Sequence, residues 1–396
     1  MKAVILAAGE GTRLGPFTYS EPKVMIPVAN RPIVEYVVRA LVENGFRDVV
    51  LVVGYRKERI MTHFEEGKGF DARIEYVVQS KQLGTAHALL QAKEMLHDDF
   101  LVLPGDNVID AQTVRDLLEE GAVPSIVITE SETPSKYGVV TLKGELVRDI
   151  VEKPAERISN LINTGIYALG EDFIDRCEES VKRGIYDIPG ILQQLVRKKK
   201  VRAIPTQGTW IDAVYPWDLI RVNAAAVAAM GERVAGKVEE GVVLRGPVSV
   251  GEGSVVRAGT YVLGPVTIGE GCDIGPHVTI YPSTSIGNNV TVGPSSVIEE
   301  SLIMHDCSLG PFAHVSRSVL GKGVRAGSHF SAHSEDASAQ VEGEWHSLPL
   351  VGSFLGEDTI LGSGVKSIPG TIVGARCRAE SGTVLRGNVP HGSRVV

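Results

Sequence analysis

Residues Val4 to Lys23 read VILAAGEGTRLGPFTYSEPK. An apolar run from Ala3 to Ala8 breaks into Gly9 and Gly11, passes Arg13, and reaches Lys23 just beyond a Glu-Pro pair. Lys2 ahead of the run suggests a secretion signal, but the run is too short and Glu10 and Arg13 follow at once. A short apolar run bounded by glycine reads as a buried parallel strand that hands the chain to a glycine-rich turn at its carboxyl end. Gly9 and Gly11 there let backbone N–H groups approach a ligand closely.

Outward from this strand, VVLVVG (Val49 to Gly54), FLVLPGD (Phe100 to Asp106) and SIVIT (Ser125 to Thr129) alternate with helical patterns up to about Gly231. Such alternation predicts an α/β sheet with ligands at the strand carboxyl ends. WDLIRVNAAAVAAM, Trp217 to Met230, reads as the closing helix, so a first domain is expected over residues 1–231.

Beyond Gly236 the texture changes. Val250, Val256, Val262, Ile268, Ile274, Ile280, Ile286, Val292 and Ile298 recur every six residues. A six-residue apolar repeat marks a parallel β-helix, each hexapeptide forming one side of a triangular coil with its aliphatic residue inside. The phase then slips by one to Ile303, Leu309 and Val315. A polar interruption runs from about His329 to Pro349, after which Leu355, Leu361, Ser367, Val373, Ala379 and Leu385 resume the period. The second domain is therefore expected over 232–396, with an irregular insertion near 329–349.

The chain has 396 residues and a formal charge of −8, which argues against a nucleic-acid footprint. KKK at Lys198 to Lys200 reads as a solvated helix end. No apolar stretch reaches membrane-spanning length. Cys177, Cys272, Cys307 and Cys377 lack metal or redox spacing and read as reduced thiols of a cytoplasmic protein.

The opening turn has three chemical readings. Gly9, Gly11 and Gly15 do not fit the dinucleotide spacing GxGxxG, and no lysine follows them in the register of a phosphate loop. In the third reading backbone amides hold a nucleoside triphosphate while Arg13 and Lys23 supply fixed positive charge near its phosphates. The stretch LAAGEGTRLGPFTYSEPKVMIPVANRPIVEY resembles the signature of the sugar-1-phosphate nucleotidyltransferases, the family of glucose-1-phosphate thymidylyltransferase and N-acetylglucosamine-1-phosphate uridyltransferase. The resemblance implies a Rossmann-like nucleotidyltransferase domain. It implies that Leu6, Ala8, Gly9, Gly11, Thr12 and Arg13 contact the nucleotide, with Arg13 and Lys23 on the triphosphate.

Further segments follow in the family's order. QSKQLGTAHA is similar to the nucleobase segment, which gives Gln79 a pyrimidine edge to pair with and packs Gly84 and Thr85 against the base. An amide offers both a donor and an acceptor to the O4/N3 edge, pointing to UTP or dTTP. LPGDN resembles the family's magnesium aspartate at Asp106, and GTWIDAVYPWDL is similar to the segment carrying the second, Asp212; here Ala213 and Val214 replace the usual Thr-Gly. KYGVV (Tyr137, Gly138), VEKPA (Glu152, Lys153) and NTGIY (Asn163, Thr164, Gly165) resemble the sugar-phosphate segments. The implied reaction is in-line attack of a hexose or N-acetylhexosamine 1-phosphate on the α-phosphorus, with Mg²⁺ as cofactor and pyrophosphate leaving.

The two textures together resemble archaeal bifunctional enzymes that join a nucleotidyltransferase to an acetyltransferase built on a left-handed parallel β-helix. That resemblance implies a homo-oligomer, a trimer through the β-helix, and His305, His314, His329, His333 and His346 are available as bases for acetyl transfer. The family's catalytic histidine and asparagine, however, fall on Pro311 and near His333 in GPFAHVSRSVLG and RAGSHFSAHSED. An oligomerising or regulating role for the second domain is thus expected ahead of a second activity. A non-catalytic subunit that binds sugar nucleotides is the alternative for the whole chain; the retained Arg13, Lys23, Asp106 and Asp212 favour an active enzyme.

Overall fold

The computed structural model describes residues 1–197 and 200–396. The helix end expected at Lys198 to Lys200 lies, for its first two residues, outside them. Contacts divide the chain into two compact units, Met1–Glu10 with Ile33–Ile211, and Gly11–Pro32 with Asp212–Val396.

The first unit is built on nine strands: β1 (Lys2–Ala7), β2 (Asp48–Val53), β3 (Arg73–Val78), β4 (Phe100–Pro104), β5 (Ser125–Glu130), β6 (Gly138–Lys143), β7 (Leu146–Glu152), β8 (Leu161–Leu169) and β9 (Arg202–Pro205). They form one sheet in the order β3-β2-β1-β4-β8-β5-β9-β7-β6. β1 lies parallel between β2 and β4, with Ile5 paired to Leu51 and Leu103. Val4 and Ile5 are fully buried, which is why this stretch is continuously apolar rather than alternating. Each such side chain contributes about 1.5–3 kcal/mol on burial. The register also brings the carboxyl ends of β1 and β4 level, Leu6 opposite Pro104. Gly105 N–H donates to Leu6 O at 2.9 Å, and a Cβ on Gly105 would stand 3.1 Å from that oxygen. The close approach sets Asp106 beside the end of β1.

The second unit is a left-handed parallel β-helix of three sheets, every pairing in them parallel. Val250 pairs with Ile268 and Ile268 with Ile286, a register of 18 residues and so three hexapeptides per coil. The nine residues of the six-residue period from Val250 to Ile298 are at most 1% exposed. At the phase slip Ile286 pairs with Ile303, one residue short of a full coil. Leu320 then pairs with Leu355, and the chain between them carries an antiparallel hairpin, Glu335–Val341 with Glu344–Val351.

Three cysteines are explained by this geometry. Cys272, Cys307 and Cys377 each stand two residues before a core aliphatic or alanine, in the slot that Ser254 and Thr260 fill in earlier coils. Their Sγ atoms reach the carbonyls of Gly287, Gly321 and Pro390 at 3.0, 3.2 and 3.0 Å. Ser254 and Thr260 donate likewise to Gly269 O and Gly275 O. Burial pushes the Cys307 thiol up to about 12, so it is an inert packing group.

Candidate active site

In the first unit the loop after β1 is anchored from the protein side. Ala8 O accepts from Gln82 Nε2 at 2.7 Å and from Tyr55 N at 3.4 Å, while Leu6 stays in the strand. Gly9 is exposed, and a Cβ there would meet no atom within 4 Å. Nothing in the fold demands glycine at that position. Gln79 is 4% exposed, and its amide nitrogen lies 3.1 Å from Gly84 O and 2.9 Å from His87 Nδ1. The side chain expected on the nucleobase thus already ties the segment to Gly84. Thr85 Oγ1 accepts from Ile188 N at 2.9 Å, which fixes the start of helix Thr85–Leu90 to the neighbouring chain.

The three sugar-phosphate segments converge. β8 breaks its register with β5 between Asn163 and Tyr167, and Gly165 within that irregularity has φ 81°. A bulge re-aims side chains locally. Asn163 Nδ2 donates to the Tyr167 hydroxyl at 2.8 Å and its Oδ1 accepts from Gly165 N at 2.9 Å, so both ends of the amide are oriented. Thr164 is buried, its hydroxyl on Val127 O and its carbonyl on Trp210 Nε1. Across the sheet, a Cβ on Gly138 would lie 2.8 Å from Glu152 Oε2 and 3.7 Å from Asn163 Cβ, so Gly138, Glu152 and Asn163 stand together. Tyr137 meets Trp210 edge-on with ring centres 5.5 Å apart, and its carbonyl accepts from Lys153 N. Desolvation raises the pKa of the Glu152 carboxyl; Lys153 opposes the rise and Asp187 adds to it.

In the second unit the rest of the signature forms a compact loop. Gly11 adopts φ 71° and its carbonyl accepts from Thr18 Oγ1 at 3.1 Å. A Cβ on Gly11 would fall 2.5 Å from Lys23 Cβ, so the glycine makes room for the lysine stem. Lys23 Nζ pairs with Asp212 Oδ1 at 3.1 Å, the two side chains only 13% and 15% exposed. Arg221 holds the Asp212 carbonyl at 3.2 Å. Thr12 and Arg13 are exposed, and no carboxylate among the described residues pairs with Arg13. An exposed arginine left unneutralised by the protein keeps its charge for an anionic ligand.

Asp106 in the first unit and Asp212 in the second each carry a carboxylate that the sequence motifs assign to a divalent ion. Among the described residues no cluster of three or more acidic, histidine or cysteine ligands exists. Hard carboxylate oxygens, one or two from the protein, suit magnesium, which completes its shell with water and substrate phosphates. Each carboxylate taken singly is a donor of that hard-oxygen kind.

The β-helix histidines are separately engaged. His305 Nδ1 accepts from Asn288 N at 2.8 Å, and burial lowers its pKa. His329 stacks on Phe312, His333 faces Glu335 and His314 faces Glu299. His346 packs against Tyr215 and Trp217. Two further residues join the cluster of sugar-phosphate segments, Tyr167 and Trp210; Trp210 lies in the GTWID motif, whereas no local sequence pattern marks Tyr167.

Residues 2–228 match the Nucleotidyl transferase family, 238–263 a hexapeptide repeat of succinyl-transferase, and 262–389 the GMPPB C-terminal domain. The chain is 38% identical over 398 residues to the bifunctional protein GlmU of Methanococcus maripaludis, covering 96% of this chain and 95% of the relative. It is 31% identical to a bifunctional sugar-1-phosphate nucleotidylyltransferase/acetyltransferase of Sulfurisphaera tokodaii, with 99% of each covered. Among solved structures, one described as a glucose-1-phosphate thymidylyltransferase from Bacillus anthracis is similar at TM-score 0.54 and 27% identity, over 57% of this chain and 95% of that one. By the family match over residues 2–228 and by relatives covered over 95% or more of their length, the chain belongs to the nucleotidyl transferase family as a sugar-1-phosphate nucleotidyltransferase.

Proposed function

We propose that the enzyme transfers the nucleotidyl group of UTP or dTTP to a hexose or N-acetylhexosamine 1-phosphate. A phosphate oxygen of the sugar 1-phosphate attacks the α-phosphorus, the bond to the β-phosphate breaks, and pyrophosphate leaves. Arg13 and Lys23 hold the triphosphate, and Arg13 stabilises the charge that develops at the α-phosphorus. Asp106 and Asp212 hold Mg²⁺, which when bound offsets the charge that would repel an anionic nucleophile. Asn163 and Glu152 orient the sugar hydroxyls and Lys153 its phosphate; Gln79, Gly84 and Thr85 serve the base. The nucleophile is already an anion, so positioning and charge neutralisation suffice without a strong base.

The observation that carries this reading is the Lys23–Asp212 pair. Two motif residues 189 positions apart, one assigned to the triphosphate and one to the metal, stand at 3.1 Å in largely desolvated surroundings. In this reading residues 1–231 form the catalytic domain and 232–396 the hexapeptide domain. The protein is a cytoplasmic homotrimer through the coils. No helix among the described residues is long and apolar enough to cross a membrane.

The test is pyrophosphate release with Mg²⁺, the four ribonucleoside triphosphates and dTTP crossed with hexose and N-acetylhexosamine 1-phosphates. Turnover with UTP or dTTP supports the assignment; a purine preference removes the role of Gln79. Silence from a folded protein that binds nucleotide supports a regulatory subunit instead. Similarity over nearly the whole chain to proteins named bifunctional favours a second reading, acetylation of an amino-sugar 1-phosphate. Thiol release from acetyl-CoA with glucosamine 1-phosphate tests it.

A further inference from the structure

The turns at one corner of the β-helix stack into a column. Backbone bonds link Asp306 N to Asn288 O, Gly323 N to His305 O, Asp358 N to Lys322 O, Arg376 N to Glu357 O and Gly392 N to Ala375 O. From the coil of Ile286 to that of Val389 the column climbs five coil steps, roughly 24 Å at the ordinary strand spacing. The signature segment is tied to both ends of it. At the lower end Asn30 Nδ2 donates to Ile286 O at 2.8 Å. At the upper end the Tyr19 ring stacks on His391 with centroids 3.9 Å apart, Arg376 lies 5.5 Å from the Tyr19 ring, and the Ser20 hydroxyl donates to Glu357. A further tie comes from the hairpin turn, where Glu342 accepts from Thr12 at 3.1 Å.

Tyr19 and Ser20 lie between Arg13 and Lys23 in sequence. The upper ties therefore hold the middle of the loop whose two ends carry its cations. We propose that the last coils of the β-helix, with the inserted hairpin, position the triphosphate loop, His391 and Glu357 of the coils and Glu342 of the hairpin turn acting through Tyr19, Ser20 and Thr12 on Arg13 and Lys23. The hexapeptide domain then contributes to nucleotide capture within its own chain, separately from any assembly it mediates. A loop ordered before the substrate arrives loses less entropy on binding. The Thr12–Glu342 tie is exposed and the Ser20–Glu357 tie part-buried; polar ties near the surface cost little to break and suit positioning more than stability.

This proposal rests on the reading that Arg13 and Lys23 hold the triphosphate, so Arg13→Ala is the control and must abolish turnover. The test is full-chain kinetics of the double variant His391→Ala/Glu357→Ala beside the conservative His391→Phe/Glu357→Gln, which keeps a stacking ring and an acceptor oxygen. The probes are UTP or dTTP, whichever turns over, with the sugar 1-phosphate that the pyrophosphate-release screen identifies. The alanine pair should raise KM for the nucleotide about fivefold or more while KM for the sugar phosphate and the melting temperature stay put. The conservative pair should restore the nucleotide KM. Wild-type nucleotide KM in the alanine pair, equal shifts in both KM values, or failure of the conservative pair to rescue overturns the positioning role while Arg13→Ala remains dead. A fully active Arg13→Ala overturns the underlying reading instead.

Discussion

Two glycines two residues apart in the opening loop should respond oppositely to the same substitution. At Gly11 the backbone is left-handed, φ 71°, and an added Cβ would sit 2.5 Å from Lys23 Cβ. Alanine there costs about 1–2 kcal/mol for the backbone conformation and about 1–3 kcal/mol for overpacking. Because the clash falls on backbone-proximal Cβ, the lysine stem must move by around an ångström, and displacements of that size cost roughly 10²-fold in rate when they misplace a catalytic group. The Lys23–Asp212 pair at 3.1 Å is the contact that stretches. Gly11→Ala should therefore lower both the denaturation midpoint and kcat. At Gly9 a Cβ meets nothing within 4 Å and the backbone is not left-handed. Gly9→Ala should leave stability alone and instead raise KM for the nucleotide, because only a ligand needs that space. Denaturant titration paired with pyrophosphate-release kinetics separates the two. A Gly11→Ala variant with wild-type melting and kcat would refute the packing argument, and a Gly9→Ala variant with unchanged nucleotide KM would refute the close approach of the phosphates.

Two other predictions follow from the same structure. The pKa of Glu152 is raised in the fold above its ordinary 4.5, so the folded state binds the proton more tightly. The stability this gives is complete below the unfolded value and is lost as pH rises through the folded one. Denaturation midpoints of the native protein should therefore fall relative to Glu152→Gln as pH is raised from 4 toward neutrality, and a flat difference would remove the desolvation. Ser367 occupies a core position of the β-helix, fully buried, with no hydrogen-bond partner for its hydroxyl among the described residues. Ser367→Ala should raise stability by about 1 kcal/mol, since an unsatisfied buried hydroxyl costs about 1–3 kcal/mol; a lower melting temperature would show that the hydroxyl is satisfied.

The features legible in the sequence are those that neighbouring residues encode together. A coil closes every eighteen residues, so its core residue recurs every six and Val250 to Ile298 display the solenoid directly. The hairpin at 335–351 was legible only as lost period, because its own polar strands pair with each other and not with the coils. The slot shared by Cys272, Cys307, Cys377, Ser254 and Thr260 was present in the same period but hidden by the chemical variety of its occupants. The bulge at Gly165 was not legible, because it exists only as a mismatch between β8 and its neighbour.

The candidate site divides in the same way. Its residue types were readable because phosphate chemistry demands glycine, arginine, lysine and aspartate in short motifs, and Arg13, Lys23 and Asp106 stand in such motifs. Tertiary structure decided their company. It paired Lys23 with Asp212, tied both ends of the Asn163 amide, and closed the Gln79 amide onto Gly84. It also laid Gly11–Pro32 with the coils of its own chain. Local spacing fixes what a segment can bind, but which distant segment it rests on is set by packing, and packing energy depends on surfaces that meet only once the whole chain has folded.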